Sequence, residues 1–106
     1  MTTFDDRERA FENLFAHDQD LAFRARARCH RDFGLWAAHQ LGRSGDDAQV
    51  YAGQVLLTSI EKSGSDAVLA KVGEDLRQHG IEVSDHQLHL RMEELLAQAV
   101  QHVKRE

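Results

Sequence analysis

A chain of 106 residues with a formal net charge of −5, one cysteine and no proline leaves few classes of protein open. The length predicts one domain with a modest core. The acidic balance argues against nucleic acid as a partner, because such binding rests on neutralising phosphates. A single cysteine excludes an intrachain disulfide and a thiolate zinc cluster, and the absence of proline favours an all-helical chain.

The start of the sequence is acidic and lacks the apolar run that is typical of a signal peptide. No stretch approaches the roughly 18 apolar residues of a membrane helix. We therefore expect a cytoplasmic protein that does not insert directly into the membrane.

The amino-terminal stretch Phe4–Asp18 predicts an amphipathic helix of about four turns. Its apolar face carries three aromatic side chains and one leucine: Phe4, Phe11, Leu14 and Phe15. A helix this short is marginally stable on its own in water. Two interpretations are open, since the face either packs on the chain's own core or is kept for a partner.

Four further helices are predicted after this stretch, joined by links at Gly42, Gly64 and Gly80. They run from about Leu21 to Leu41, from about Gly45 to Lys62, from Ser65 or Asp66 to Gly80, and from Ser84 onward. Ser84 and Gln87 form a capping-box pattern at the start of the last helix. We expect an all-α fold, in which residues 20–106 form a compact antiparallel four-helix bundle and residues 1–19 an amino-terminal arm, hinged near His17 and Asp18.

Apolar spacing predicts which faces of these helices are buried. Phe33, Trp36, Ala37 and Leu41 form a seam on the first of the four. The second is apolar on two sides, with Val50, Leu57 and Ile60 on one of them, which is typical of a central helix. The last helix carries one long stripe: Leu88, Met92, Leu95, Leu96, Ala99 and Val103.

Arg24, Arg28 and Arg31 recur at i, i+4 and i+7 and share one helix face. The simpler interpretation is a solvated face paired with local carboxylates. The functional one is a docking stripe for an acidic surface or a phosphate, which the planar guanidinium suits.

Other chemistry finds little support in the sequence. His86 and His89 have a chelating spacing, but nothing brings a third ligand to them, so no metal site is predicted. His30, His39 and His102 are interpreted as residues of the bundle surface, and Cys29 as a small, partly buried residue. There is no phosphate-loop motif and no recognisable nucleophile, so no catalytic residue is assigned and an enzyme is not expected.

Three blocks of sequence, read together, resemble a known family. They are FDDRERAFENLFAHD at the start, GLWAAHQLGRSGDDAQVYA in the middle and VSDHQLHLRMEELLAQAV near the end. Their order and spacing are similar to those of the zeta subunit of alphaproteobacterial ATP synthase, a family of small all-helical ATPase inhibitors. The resemblance runs nearly from end to end.

This resemblance implies an inhibitor of ATP hydrolysis that binds the catalytic head of the rotary ATP synthase. The inhibitory element would be the arm, Thr2 to about Gln19, inserted at a catalytic interface of the alpha and beta subunits near the central gamma stalk. The remaining residues would form a stopper, and the protein would lie at the inner membrane only through the synthase. The implied contacts are the apolar anchors Phe4, Phe11, Leu14 and Phe15 and the polar residues Asp5, Arg7, Glu8 and Arg9.

Two alternatives remain open at this point. A small regulatory bundle could bind ADP or ATP weakly with Arg24, Arg28 and Arg31 near the ligand. A generic assembly adaptor could use the arm for some other partner. No other cofactor is expected, and we expect the free form to be a monomer.

Overall fold

Four helices follow the predicted segments along the chain in a computed structural model that describes residues 9–11, 13, 18–62 and 64–105. They are α1 (Gln19–Gln40), α2 (Gly45–Glu61), α3 (Ser65–Gln78) and α4 (Asp85–Arg105). Residues 9–11 and 13 are helical as well, and the described residues include no strand. The all-α fold is confirmed and the bounds agree to within about two residues, whereas the antiparallel arrangement and the hinge at His17, which lies outside the described residues, stay predictions.

Local hydrogen bonds that the sequence predicts are present at the amino ends of two helices. Asp18 caps α1, where its Oδ1 accepts a hydrogen bond of 3.0 Å from the backbone N–H of Leu21. The capping box before α4 is confirmed, since Gln87 N–H donates to Ser84 Oγ at 3.1 Å and Ser84 N–H donates to Gln87 Oε1 at 2.9 Å. Ser44 precedes α2 as expected but makes no side-chain cap hydrogen bond.

The core forms around α1, which packs against α2, α3 and α4. Phe33 and Ala37 of the predicted seam are fully buried, and Trp36 stacks on Phe33 with ring centroids 5.5 Å apart. A Cβ atom at Gly34 would lie 2.9 Å from the Cα of Ala52. The missing side chain at this position is therefore what lets α1 and α2 approach so closely.

α2 contacts both α1 and α3, as expected for a helix with more than one neighbour, but only one of its two predicted apolar faces is buried. Its buried side chains are on one face, at Ala48, Tyr51, Ala52 and Val55, whereas Val50, Leu57 and Ile60 are 58%, 53% and 60% exposed. The spacing detected two apolar faces, but only one of them has neighbours, because α1 and α3 both lie on that side. The second face stays in water, and α1 takes the central place.

One polar link joins α2 to α3 at the edge of this core. The hydroxyl of Tyr51 donates to Asp75 Oδ2 at 2.8 Å, and Lys71 Nζ lies 3.1 Å from the same oxygen. Burial first, and then the hydrogen bond to Asp75, raise the pKa of Tyr51 above its ordinary value of 10.0.

Within the described residues, none of the helices combines the length and the apolar composition needed to cross a membrane.

A matched pair of substitutions on α2 tests the one-sided burial. Val55 is 0% exposed and Val50 is 58% exposed, so the same loss of two methyl groups has different consequences. We expect Val55→Ala to lower the free energy of unfolding by about 1.5–2.5 kcal/mol, and Val50→Ala to change it by less than about 0.5 kcal/mol. Urea unfolding followed by circular dichroism measures both. Equal losses would mean that both faces are buried in solution.

The Tyr51 link predicts a dependence of stability on alkaline pH. A raised pKa means that the folded state holds the phenol proton more tightly than the unfolded state does. The resulting stability is fully present below about pH 10 and is lost as the pH rises beyond it. Urea unfolding of wild type and Tyr51→Phe on either side of about pH 10 should therefore show a smaller alkaline loss in the variant. Identical alkaline losses would contradict this assignment.

Candidate functional site: the arm and its groove

Phe11, a predicted anchor of the arm, is packed against the chain's own helices. Its side chain is 4% exposed and belongs to the main hydrophobic core. Together with Ala10 it lines one side of a cleft of about 190 Å³ between the arm and α4. The α4 residues that line this cleft, called the arm groove from here on, are Glu93, Leu96, Ala97, Val100 and Gln101.

Arg26 of α1 covers the other side of the same ring. Its Cζ atom lies 4.4 Å from the centroid of the Phe11 ring, within the range of a cation–π interaction. Leu96 and Val100 of α4 line the same cleft as Phe11. The buried Phe11 ring therefore lies under an arginine of α1 and beside the arm groove of α4.

Sequence reasoning did not single out Arg26, although a signal for it exists. The cap at Asp18 separates the arm from α1, with Phe11 seven residues before it and Arg26 eight residues after it. These two positions are fifteen residues apart, which would be about 22 Å along one continuous helix. Their contact therefore cannot be predicted from periodicity within a single helix.

The polar side of the described arm faces water. Arg9, Ala10 and Asn13 are exposed beside the buried Phe11, so Arg9 is open to a partner as the resemblance implies. The other predicted contacts lie outside the described residues: Phe4, Asp5, Arg7, Glu8, Leu14 and Phe15.

The arginine stripe on α1 is paired with carboxylates of its own helix. Arg24 Nε lies 3.4 Å from Asp20 Oδ2, and Arg28 Nε lies 3.8 Å from Asp32 Oδ2. Arg31 Nη2 lies 3.9 Å from the second oxygen of Asp32. These contacts agree with the simpler interpretation of the stripe, and they leave its charge largely neutralised for a phosphate ligand.

A wide cleft between α3 and α4 is poorly suited to a nucleotide. It measures about 740 Å³ and has Leu69, Ala70 and Leu88 among its lining residues. The other lining residues include three carboxylates, and its arginine, Arg77, is hydrogen-bonded to one of them, Asp85, at 2.7 Å. Such a rim repels phosphate groups.

Two of the smaller predictions need correction. His30 is not a surface residue: it is 5% exposed, and its Nε2 lies 3.1 Å from Ser65 Oγ, which links α1 to the start of α3. Cys29 is fully buried, with its Sγ 3.4 Å from Met92 Sδ. Periodicity did not find these burials, because they depend on where α3 and α4 cross α1.

His39, His86 and His102 are exposed, and His89 lines the cleft between α3 and α4. Among the described residues, no group of three or more histidine, cysteine or acidic side chains is placed to hold a metal ion.

Comparison with known proteins identifies the family. A search of curated proteins finds no match to this chain. The family described as ATPase inhibitor subunit zeta matches residues 1–102, which include the arm, the arm groove and the four helices. With nearly the whole chain covered, the protein belongs to the family of the ATPase inhibitor subunit zeta.

Proposed function

We propose that this protein inhibits ATP hydrolysis by the rotary ATP synthase by inserting its arm at a catalytic interface of the alpha and beta subunits, near the gamma subunit. The observation that carries the proposal is the family match, which spans the arm as well as the helices. The amphipathic arm supports it: Phe11 supplies an apolar anchor, and Arg9 and Asn13 supply an exposed polar side.

The composition of the core supports an arm that can dissociate. Apart from Phe11, the buried core residues that the structure describes come from α1, α2, α3 and α4. Releasing the described part of the arm therefore exposes one ring and the arm groove, while the contacts of α1 with its neighbours stay in place. Exposure of one phenylalanine costs about 1.5–3 kcal/mol, and loss of its cation–π contact costs about 0.5–1 kcal/mol more. A partner site that buries several apolar side chains of the arm outweighs this sum.

Blockage follows from the mechanics of a rotary enzyme. Its catalytic interfaces open and close in each cycle, so a helix wedged into one of them raises the free energy of the next step. The chain measures 41 × 33 × 24 Å, whereas a helix is only about 10–12 Å across. The four-helix body cannot follow the arm into an opening of helical width, and it acts as the stopper outside.

Location and assembly follow from the same proposal. The protein reaches the inner membrane by binding the synthase, through its alpha, beta and gamma subunits. It is a monomer before it binds.

The decisive experiment measures ATP hydrolysis by the isolated catalytic head with and without this protein. Full-length protein should inhibit, and a variant lacking residues 2–19 should not, because it has lost the inserted element. The truncated variant should still melt cooperatively, at a lower temperature than wild type because Phe11 is gone. Inhibition of equal strength by the truncated variant would contradict the proposal.

Phe11→Ala tests the anchor itself, with Phe23→Ala as its matched control. Both changes remove one phenylalanine ring, but Phe23 lies on α1 outside the proposed arm contact and is 63% exposed. We expect Phe11→Ala to raise the half-inhibitory concentration by about tenfold or more, since anchor truncations cost about 2 kcal/mol or more. Phe23→Ala should leave it unchanged. Equal effects of the two changes would remove Phe11 from its proposed role.

Direction of rotation gives a further test. If hydrolysis drives the wedge deeper and synthesis rotation expels it, added protein should suppress hydrolysis far more than synthesis. Membrane vesicles that carry the complete synthase allow both rates to be measured on one preparation. Equal suppression of synthesis would rule out the directional mechanism and leave the arm as a simple plug.

A further inference from the structure

The groove that holds Phe11 in the free protein has a consequence for inhibition. A ring that is 4% exposed has almost no surface left for another molecule. Phe11 cannot stay buried beside the arm groove and enter a site on the synthase at the same time. Binding through Phe11 therefore requires the contacts with Arg26 and with α4 to open first.

We propose that Phe11, Arg26 and the arm groove form a latch that holds the arm closed and competes with the synthase for the Phe11 ring, an inference that rests on the proposed function. The protein then exists in a closed form, with the ring between α1 and α4, and an open form that can inhibit. The fraction of open molecules sets the inhibitory potency. The latch is an autoinhibitory contact within the chain.

The latch is small enough to open. Among the described residues, it comprises the Phe11 ring, the Arg26 guanidinium at 4.4 Å and the α4 residues that line the same cleft of about 190 Å³. The neighbouring Arg9, Ala10 and Asn13 are already exposed, so opening brings little additional surface of the described arm into water. Closing covers the ring and costs little conformational entropy, since the contact spans a short segment.

A latch makes a prediction that a simple anchor does not. The apparent dissociation constant equals the intrinsic one divided by the open fraction. A change in the groove that loosens the latch, but leaves the arm intact, must therefore make the protein a stronger inhibitor. If Phe11 were merely a core residue, the same change would lower stability and leave the inhibition unchanged or weaker.

Arg26→Met tests the latch from the α1 side. Methionine keeps much of the aliphatic stem and removes the charge above the Phe11 ring. Given the usual strength of cation–π contacts, the half-inhibitory concentration should fall about two- to fivefold. Amide hydrogen exchange at residues 9–11 and 13 should accelerate by a similar factor.

The matched control is Arg91→Met. Arg91 is on α4, and its Cζ lies 5.5 Å from the Trp36 ring, so this change removes another cation–π contact away from the latch. It should alter neither the exchange of the arm nor the inhibition. If it strengthens inhibition as much as Arg26→Met does, general destabilisation is the cause and the latch is refuted.

Val100→Ala tests the latch from the α4 side without changing any charge. Val100 lines the arm groove, and its shorter replacement should also accelerate exchange at residues 9–11 and strengthen inhibition about twofold or more. Agreement between this variant and Arg26→Met supports the latch. If both variants accelerate exchange while inhibition stays the same or weakens, the competition is refuted.

A covalent lock gives the opposite test. Ala10 and Ala97 line the same cleft, so Ala10→Cys with Ala97→Cys, oxidised to a disulfide verified by mass, keeps the arm closed. The locked protein should lose at least about tenfold in potency relative to the same double variant after reduction, which is the matched control. Native Cys29 is only 2% exposed, so it does not take part in thiol–disulfide exchange. Full potency of the locked form would overturn the latch.

The outcomes separate the two proposals. If wild-type protein fails to inhibit the isolated head, the proposed function is wrong, and arm exchange in Arg26→Met still reports whether Phe11 is latched. If wild-type protein inhibits, but Arg26→Met, Val100→Ala and the disulfide lock do not change its potency in the predicted directions, the latch alone is wrong.

Discussion

The close packing of α1 against its neighbours is the contact on which the other features of this protein depend. Small side chains along α1, at Ala25, Gly34, Ala37 and Ala38, are fully or almost fully buried. They let α2 approach until a single added Cβ would collide with the backbone at Ala52. α1 also carries Phe33 into the centre of the core, where α2, α3 and α4 pack around it. The proposed function of the arm requires that this packing persist when the arm is released.

Phe11 contributes to the stability of the free protein and is also the proposed anchor in the partner, so these two roles compete for one side chain. In the free chain it adds a ring to the core, under Arg26 and against α4. As an anchor in a partner it must leave both contacts. The free energy that the ring contributes to the free protein is thus subtracted from its binding energy, and the body has to be stable enough to lose it. Seventeen of the eighteen buried residues of the described core cluster come from α1, α2, α3 and α4, so most of its described contacts do not involve the ring.

How far the sequence predicts this structure depends on the range of the interaction concerned. The capping box of Ser84 and Gln87, the cap at Asp18 and the pairing of Arg24 with Asp20 involve residues at most four positions apart. Helical geometry alone fixes such contacts, so they could be anticipated. The exposed face of α2 could not, since periodicity reports an apolar face and says nothing about whether a neighbour covers it.

The same distinction between contacts at short and long range in the sequence applies to the candidate site. Spacing predicted the burial of Phe11, the member of the arm's predicted apolar face that the structure describes. The inhibitory role of the arm is implied by the resemblance, and the family match confirms the family. Arg26 was missed, because its contact with Phe11 joins residues fifteen positions apart. His30 was misplaced for a similar reason, since its burial depends on Ser65 at the start of another helix. Contacts between helices depend on how the helices are arranged in space, and residue spacing alone does not predict that arrangement.

Arg26 also explains why a weak latch suits this protein better than a tight or an absent one. Its side chain covers Phe11 and at the same time lines the cleft that contains the exposed Phe23 and Ile60. Without the latch, the ring and its apolar groove would join an apolar surface that is already in water, and patches of this kind favour self-association. With a much tighter latch, the open fraction would fall and the apparent affinity for the partner with it. The strength of the proposed latch lies between these limits. It keeps the ring covered in the free protein and still allows the ring to reach the enzyme.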